Sequence, residues 1–269
     1  MKYCIGEFAS ILGVTSDTLR LYEKHDIVRP IKDNSNNYRY FDDLDARDLL
    51  MSRWYRSMQI PLQDVALLIK DASSEHIIEK FQETQLNLEA EIKRSTMLLN
   101  KIIEINNEFK QIERSLNICT LKEVPGIYRL RQTHKNDLLI NDYLKDTVNE
   151  WMNMLPFSFY SFRIENSDIL SEANTCCDYN WGLSLLEDEV HKLNVEIDEN
   201  VEYISPTTCI SAVIACSGEE SIRRDSLQFM LDYLEEHQYS IAGDIVGKII
   251  LTEKIEGESR TYLEVNIPI

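Results

Sequence analysis

The chain of 269 residues contains no apolar run of about 18 residues, so the sequence predicts no membrane-spanning helix. Its first stretch, MKYCIGEFASILGV, also lacks the continuous apolar segment of a secretion signal, because Gly6, Glu7 and Gly13 interrupt it. We therefore expect a cytoplasmic protein.

Cysteine pairs with the spacing of a metal or redox site are absent as well. No Cys-x-x-Cys occurs among the six cysteines, and the five histidines are scattered singly. Adjacent Cys176 and Cys177 could form a redox pair or a metal site, but free thiols in a reducing compartment are the simpler interpretation. The sequence therefore predicts no metal site and no cofactor, and no catalytic pairing of residues stands out.

Basic residues are scarce, but the shortage is uneven along the chain. The chain has 28 Lys and Arg against 46 Asp and Glu, which gives a net charge of -18. Residues 1–70 are balanced, residues 71–119 carry a net charge of -3, and residues 120–269 carry -15. Because the acidity belongs to the C-terminal half, the N-terminal part remains a candidate for binding nucleic acid.

Residues 1–73 have the pattern of a winged helix-turn-helix domain. Apolar residues recur at helical spacing before Gly13, at Ile5, Phe8, Ala9 and Leu12. Thr15 or Ser16 can cap a second helix, and IVRPIKDNSNNYRYF then predicts two short strands around a polar turn. Two more helices are expected near Leu44–Met58 and Pro61–Ile69.

Candidate DNA contacts lie on the second helix, on the wing and on the helix after it. The second helix offers hydroxyl, basic and aromatic side chains, at Thr15, Ser16, Thr18, Arg20, Tyr22 and Lys24. Flanking phosphates could be held by Tyr38, Arg39, Arg53 and Arg56. In the alternative interpretation Tyr22 and Tyr40 are packing residues, and Arg20 pairs with an acid such as Glu23 or Asp45.

Residues 74–118 predict one long helix that forms a coiled coil. The segment from Ser74 to Leu116 contains no glycine or proline. Apolar residues recur there at alternating steps of three and four, at Ile78, Phe81, Leu88, Ile92, Leu99, Ile102, Phe109 and Leu116. A helix this long cannot bury such a seam against itself, so we expect a dimeric coiled coil; a single docked helix is the alternative.

Residues 119–269 predict a domain in which strand–helix–strand–strand occurs twice, and the whole chain is therefore of the α+β class. The first half has a strand near LKEVPGIYRLRQ, a helix near 138–154, and strands near 157–164 and 179–186. The second half has a strand near 208–216, a helix near 219–237, and strands near 244–251 and 261–267.

The N-terminal pattern resembles the DNA-binding domain of the MerR family of transcription regulators. The stretches that carry it are YCIGEFASILGVTSDTLRLYEKHDIVRP, NNYRYF and SMQIPLQDV, within residues 3 to about 70. The resemblance implies a homodimer, paired through the long helix, on a palindromic promoter whose spacer is too long for RNA polymerase. Activation then means bending and untwisting that spacer, at a cost on the order of a few kcal/mol. Many members have two aromatic residues directly after the arginine that corresponds to Arg20. This chain has Leu21 and Tyr22 there, so only Tyr22 matches.

Residues 119–269 resemble the gyrase-inhibitor-like (GyrI-like) effector domain of multidrug-sensing MerR family members, in the order of elements and in the stretches DYLK, YNWGL and YLEVNIPI. The resemblance implies a pocket of tyrosines and a buried carboxylate that binds a lipophilic aromatic cation. The lining positions that carry over are Tyr143, Phe157, Tyr179 and Tyr262. Trp181 should face the same side as Tyr179, because it lies two residues later on the same strand. Gly247 stands where the acid would be, so Glu264, Asp178 or Glu165 could replace it, or the ligand could be neutral.

These patterns predict a ligand-responsive transcription activator that is not an enzyme. Metal sensing is disfavoured, because DASSEHIIEKF at the start of the long helix lacks cysteine and Cys119 stands alone. Two alternatives stay open for the C-terminal domain. It could hydrolyse its ligand, with Glu264 and a tyrosine as an acid–base pair, or it could serve as a platform for another protein.

Overall fold

The computed structural model describes residues 2–33, 38–134, 137–139, 144–170, 177–217, 222–255 and 257–269. These residues form both helices and strands and divide into two compact units, Met1–Thr96 and Met97–Ile269. Within the described ranges, no helix has the length and apolar character needed to cross a bilayer.

The first unit is a helical domain with a small antiparallel sheet. Its elements are β1 (Tyr3–Cys4), α1 (Ile5–Leu12), α2 (Ser16–Lys24), β2 (Ile31–Lys32), β3 (Arg39–Phe41), α3 (Asp43–Ser57) and α4 (Leu62–Asp71), and α5 (Ser74–Ser115) begins in it. The strands lie in the order β1-β3-β2. Gly13 ends α1 with a φ of 63°, a left-handed conformation that glycine adopts at low cost.

The core of the first unit joins the helices to the wing strands. Phe8 of α1 stacks on Phe41 of β3 with ring centroids 4.7 Å apart. Leu19 of α2 and Leu49 of α3 are fully buried in the same cluster. The second helix and the wing are therefore held on one core.

The helix α5 confirms the prediction of one long helix, and it covers Ser74–Ser115 against the predicted Ser74–Leu116. Six of the eight seam residues are between 37% and 60% exposed in the single chain, and they are Ile78, Leu88, Ile92, Leu99, Ile102 and Phe109. Phe81 instead packs against Tyr55, with ring centroids 5.9 Å apart, and Leu116 packs beside Val213.

After α5, strands and helices of the second unit follow one another along the chain. They are β4 (Thr120–Val124), β5 (Ile127–Arg131), β6 (Thr133–His134), β7 (Asp137–Leu138), α6 (Lys145–Asn153), β8 (Phe159–Ile164), α7 (Asn166–Leu170), β9 (Tyr179–Leu186), α8 (Glu187–Leu193), β10 (Glu202–Ile204), β11 (Thr207–Ser217), α9 (Arg224–Glu236), β12 (Ile245–Ile255) and β13 (Glu258–Pro268). The large sheet has the order β10-β5-β9-β8-β12-β13-β11-β4. β6 and β7 pair separately.

Several elements of this unit differ from those expected. The single strand near residue 124 is two strands, because Pro125 has no N–H for a ladder and breaks the pairing. The first helix begins at Lys145 instead of 138, and α9 begins at Arg224 instead of 219. Short elements such as α7, α8 and β10 were not expected at all.

The large sheet has two different faces. On the outer face, Trp151 of α6 packs on Leu130 and Leu183, and Met230 of α9 packs in the cluster that contains Leu263. The opposite, inner face carries buried or half-buried polar residues, which are Arg129, Ser161, Arg163, Ser184, Ser211, Glu264 and Asn266.

The sheet curves toward its inner face. β4 is an edge strand and β5 lies next to the other edge, yet only Pro125 and Gly126 join them. Three consecutive Cα spacings cover roughly 11 Å at most, so the two ends of the sheet must approach each other. Val124 near one end and Ile204 at the other line one cavity on the inner face, so the inner face is the concave one.

Candidate DNA-binding and ligand-binding sites

The start of helix α2 is fixed by its own hydroxyl groups. Thr15 is the N-cap, and its Oγ1 accepts a hydrogen bond from the backbone N–H of Thr18 at 3.1 Å. The hydroxyl oxygens of Thr15 and Thr18 are 2.9 Å apart. Thr15 is exposed and Ser16 half-buried, so this end of the helix presents hydroxyl groups to a ligand. A cap of this kind stabilises a helix by about 1 kcal/mol.

The remaining candidates on α2 differ in exposure. Arg20 and Lys24 are exposed, and the Arg20 guanidinium pairs with Asp17 at 2.7 Å rather than with Glu23 or Asp45. Both partners of that pair are exposed, so a phosphate can replace the carboxylate at little cost. Tyr22 is only 8% exposed and packs in the core, which fits the packing alternative.

The wing is tied to α2 through Glu23. Arg39 of β3 donates from Nε to the Glu23 carboxylate at 2.7 Å, and Nζ of Lys32 lies 3.7 Å from the same group. Tyr38 is 61% exposed beside them. The wing tip at 34–37 lies outside the described residues. The pairing at Glu23 sets the position of two basic side chains relative to the second helix.

Arg53 and Arg56 of α3 hold loop carbonyls. Arg53 donates from Nη1 to the carbonyl of Leu12 at 3.2 Å, at the end of α1, and Arg56 donates to the carbonyl of Ile60 at 2.7 Å. Both side chains are nevertheless exposed. A guanidinium has five N–H donors, so each retains donors for a phosphate.

Asp45 is a residue of this unit that the sequence suggested only as a partner of Arg20. Its carboxylate is buried and accepts the backbone N–H of Arg29 at 2.7 Å and that of Asp42 at 3.1 Å. Burial raises the pKa of Asp45, although these two amides act in the opposite direction. The signal for this role was the Asp42-x-x-Asp45 spacing of a capping box.

On the outer face of the large sheet, two of the predicted ligand-binding residues lie together. The rings of Tyr179 and Trp181 meet edge to face at 5.5 Å between centroids, and Trp181 meets Phe162 at 5.7 Å. Phe162 in turn covers Gly247, where an added Cβ atom would lie 2.2 Å from Cζ of that ring. We call Tyr179, Trp181 and Phe162, together with the adjoining Gly247, the aromatic cluster. Phe162 was missed in the sequence, where only the alternation along β8 indicated that its side chain is buried.

Tyr262 and Glu264 lie on the inner face, opposite to the aromatic cluster. The Tyr262 hydroxyl donates to Glu253 at 2.8 Å. Glu264 pairs with Lys122 and lies 3.7 Å from Nζ of Lys248, so its charge is already neutralised. Burial alone would raise the pKa of Glu264, but the two ammonium groups outweigh burial and hold that pKa below its ordinary value.

The predicted ligand-binding set is therefore not brought together at one place. Phe157 belongs to a third location, against the cluster around Trp151 under α6. Tyr143 lies outside the described residues. Of the other acids considered, Glu165 and Asp178 are exposed. The resemblance suggested these positions residue by residue, and a shift of one residue on a strand moves a side chain to the other face.

Arg129 is a buried charge on the inner face that the sequence did not indicate. Its guanidinium donates to the Ser161 hydroxyl at 3.0 Å and to Oδ1 of Asn180 at 2.6 Å. Burial lowers the pKa of Arg129 to about 10, and the neighbouring charges of Arg163 and Arg131 act in the same direction.

As for metals, the described part of the chain contains no group of three or more His, Cys, Asp or Glu side chains that could hold an ion.

The first unit is a helix-turn-helix domain whose second helix and wing present basic and hydroxyl side chains. Residues 3–72 match the family model of the MerR HTH family regulatory proteins, so this part of the chain is similar to the helix-turn-helix domain of that family.

Two curated relatives share this region. The transcriptional activator TipA of Streptomyces coelicolor is 31% identical over 75 residues, which are 28% of this chain and 30% of TipA. The transcriptional regulator CueR of Escherichia coli is 26% identical over 113 residues, which are 42% of this chain and 75% of CueR. The chain thus spans less than a third of the length of TipA, and these similarities concern its N-terminal part.

A solved structure of an EcmrR–DNA complex in EcmrR-RPo aligns with 99% of this chain and 98% of its own chain. The sequence identity is 20% and the TM-score is 0.39.

Proposed function

We propose that the chain is a MerR-type transcription regulator that binds promoter DNA as a homodimer. The observation that carries this proposal is the match of residues 3–72, together with the exposed hydroxyl and basic groups at the start of α2. Phosphates then meet Arg20, Lys24 and the wing pair Tyr38 and Arg39. The dimer bends and untwists an overlong promoter spacer, and this deformation aligns the two promoter elements for RNA polymerase.

The homodimer forms through residues 74–118. The six exposed apolar residues of the α5 seam support this proposal, because a water-exposed seam of that length is stabilised when a second helix covers it. Two α5 helices run antiparallel in the dimer that the resemblance implies. The division at residues 73 and 118 then separates the DNA-binding domain, the dimerisation helix and the effector domain.

The third part, residues 119–269, is proposed as a GyrI-like effector domain made of two related halves. The first half is β5–α6–β8–β9, with β9 between the other two strands of the sheet. The second half is β11–α9–β12–β13, with β13 between the other two. This shared order supports a two-fold repeat. The halves meet where β8 pairs with β12, beside Gly247 and Phe162.

The aromatic cluster is the proposed site for a lipophilic aromatic molecule. Tyr179 and Trp181 are only half-buried, and aromatic faces attract a desolvated cation by about 2 kcal/mol. The acid expected at position 247 is absent, and Glu264 faces the other way. Ligand binding activates transcription only if it favours one of the two arrangements of the dimer on DNA.

Transcription from the promoter upstream of the chain's own gene tests both parts of the proposal. Purified protein and RNA polymerase are assayed with and without tetraphenylphosphonium or ethidium. We expect specific binding to this DNA, and activation by the cations that the variant Trp181→Ala loses. Absence of DNA binding contradicts the regulator, whereas binding without any response to the ligands contradicts only the sensing of cations.

A further inference from the structure

The concave inner face of the large sheet contains a cavity of about 200 Å³. Its walls come from both edges of the sheet and from the middle, with Val124 on β4, Ile204 on β10 and Val246 on β12. The cavity exists because the sheet curves until β4 and β10 approach each other. It lies on the face opposite to the aromatic cluster, so it is a different location from the proposed ligand site.

The walls of this cavity are mostly apolar. Pro125, Ile127 and Pro268 add to the apolar lining formed by the three residues just named. An apolar cavity of about 150 Å³ holds a benzene molecule. The inner cavity therefore has room for one ring or two fused rings.

The charged groups at the cavity already have partners. Arg163 donates from Nε to Asp244 at 2.7 Å and also pairs with Glu202. Asp244 accepts in addition the backbone N–H of Asn166 at 2.9 Å. A charged ligand would thus lose its hydration and meet no unmatched counter-charge among the described lining residues, which is unfavourable.

The uncharged polar groups of the lining are also largely satisfied. The side chain of Asn266 lies 2.5 Å from the Ser211 hydroxyl, and burial raises the pKa of the Cys209 thiol to about 11, so the thiol stays neutral. We propose that this cavity binds a small, uncharged, mainly apolar molecule of one or two rings. Its recognition rests on shape and on apolar contact.

Binding of indole to the full-length protein tests the proposal, measured by equilibrium dialysis. Benzylamine and benzoate serve as probes of similar size with one positive or one negative charge. We expect indole to bind with a dissociation constant on the order of 0.1 to 1 mM, as befits so small a molecule. Each charged probe should bind at least roughly tenfold more weakly, because its charge must be desolvated.

Variants locate the binding. Ile204→Trp fills the cavity from the edge strand β10, and Tyr203→Trp places the same side chain one residue earlier, on the other face of that strand. Indole affinity should fall at least roughly tenfold in the first variant and stay unchanged in the second. Circular dichroism checks that both fold. If Ile204→Trp does not fold, Val246→Met narrows the cavity by a smaller change and should also weaken binding.

Any of three results at the cavity itself would overturn the proposal. They are no indole binding to the unmodified protein, equal binding of a charged probe, and indole binding that persists in the cavity-filling variants. Loss of indole binding in Trp181→Ala together with unchanged binding in Ile204→Trp would move the site to the aromatic cluster on the outer face and would also contradict the proposal.

Discussion

The ring of Phe162 occupies the space beside Gly247 on the neighbouring strand, so that a Cβ atom at position 247 would lie 2.2 Å from Cζ of the ring. The same Cβ would lie 2.2 Å from the carbonyl oxygen of Glu264. β12 is paired on both sides at this point, with β8 and with β13, so the strand cannot shift away easily. The absence of an acid here thus has a packing reason.

Substitution of Gly247 by alanine should destabilise the second unit. Because the new methyl group meets both a ring and a backbone carbonyl, we expect the free energy of unfolding to fall by about 2 to 3 kcal/mol. Gly243→Ala is the matched control, since its Cβ would meet nothing closer than Cγ of Pro268 at 3.6 Å. Urea unfolding, followed by tryptophan fluorescence, measures both. Equal stability of the two variants would show that the sheet can adapt at position 247.

The charge cluster around Glu264 predicts a dependence of stability on pH. The pKa of Glu264 in the folded protein is lowered by Lys122 and Lys248 against the effect of burial. A lowered folded pKa means that ionised Glu264 stabilises the fold above the unfolded pKa of about 4.3. That stabilisation is lost as the pH falls through the folded pKa.

Glu264→Gln should therefore destabilise the protein at pH 7 by about 1 to 3 kcal/mol, because two ammonium groups lose their partner. The difference from the unmodified protein should shrink toward zero as the pH falls through the lowered folded pKa of Glu264, because the carboxylate is then itself protonated. Urea unfolding at a series of pH values measures it. Glu258→Gln, at an exposed position of the same strand, is the control and should show a small difference throughout. If the difference in unfolding free energy between Glu264→Gln and the unmodified protein does not change with pH, the ion-pair explanation is contradicted.

The sequence was sufficient to predict those structural features that depend on residues close together in the chain. Thr15 as a cap, Gly13 as the end of α1 and the uninterrupted α5 all follow from neighbouring residues. The partners of Glu264 could not be inferred in this way, since Lys122 lies 142 positions earlier in the chain. Pairing of that kind depends on how β4 is brought to the edge of the sheet.

The sequence also could not predict which face of a strand each side chain occupies. Tyr262 and Trp181 were both assigned to one pocket, but on a strand every second side chain points to the same face, and register decides which face that is. Tyr262 pairs with Ala215 on β11 and joins the cluster of Ile112 and Val213, whereas Leu263 faces the aromatic cluster's side. A loose resemblance cannot resolve a shift of one residue.

The wing arginine should contribute to DNA binding through its charge. Arg39→Gln removes one phosphate contact, so the affinity should fall and the slope of log K against log salt should become smaller by about 1. Fluorescence anisotropy with the upstream promoter DNA at several salt concentrations measures both quantities. Arg47→Gln serves as the control, because Arg47 is equally basic but was not assigned to the interface. A slope unchanged in Arg39→Gln and reduced in Arg47→Gln would place the DNA on another surface.

The α5 seam predicts the oligomeric state. Ile92 is 60% exposed in the single chain, and Ile92→Lys would place a charge at the centre of the proposed coiled coil. Loss of one buried aliphatic side chain costs about 2 to 4 kcal/mol, so the dimer should dissociate at least roughly thirtyfold more readily. Sedimentation equilibrium at low micromolar concentration measures the change.

Glu91→Lys is the matched control for this prediction. It introduces the same side chain one position earlier, beside the seam and not in it, so the dimer should be weakened much less because no apolar seam residue is removed. A monomeric Ile92→Lys beside a dimeric Glu91→Lys would assign the association to the seam. If both variants remain dimeric with unchanged affinity, the exposed residues of α5 are not what joins two chains, and the dimer must form through another surface.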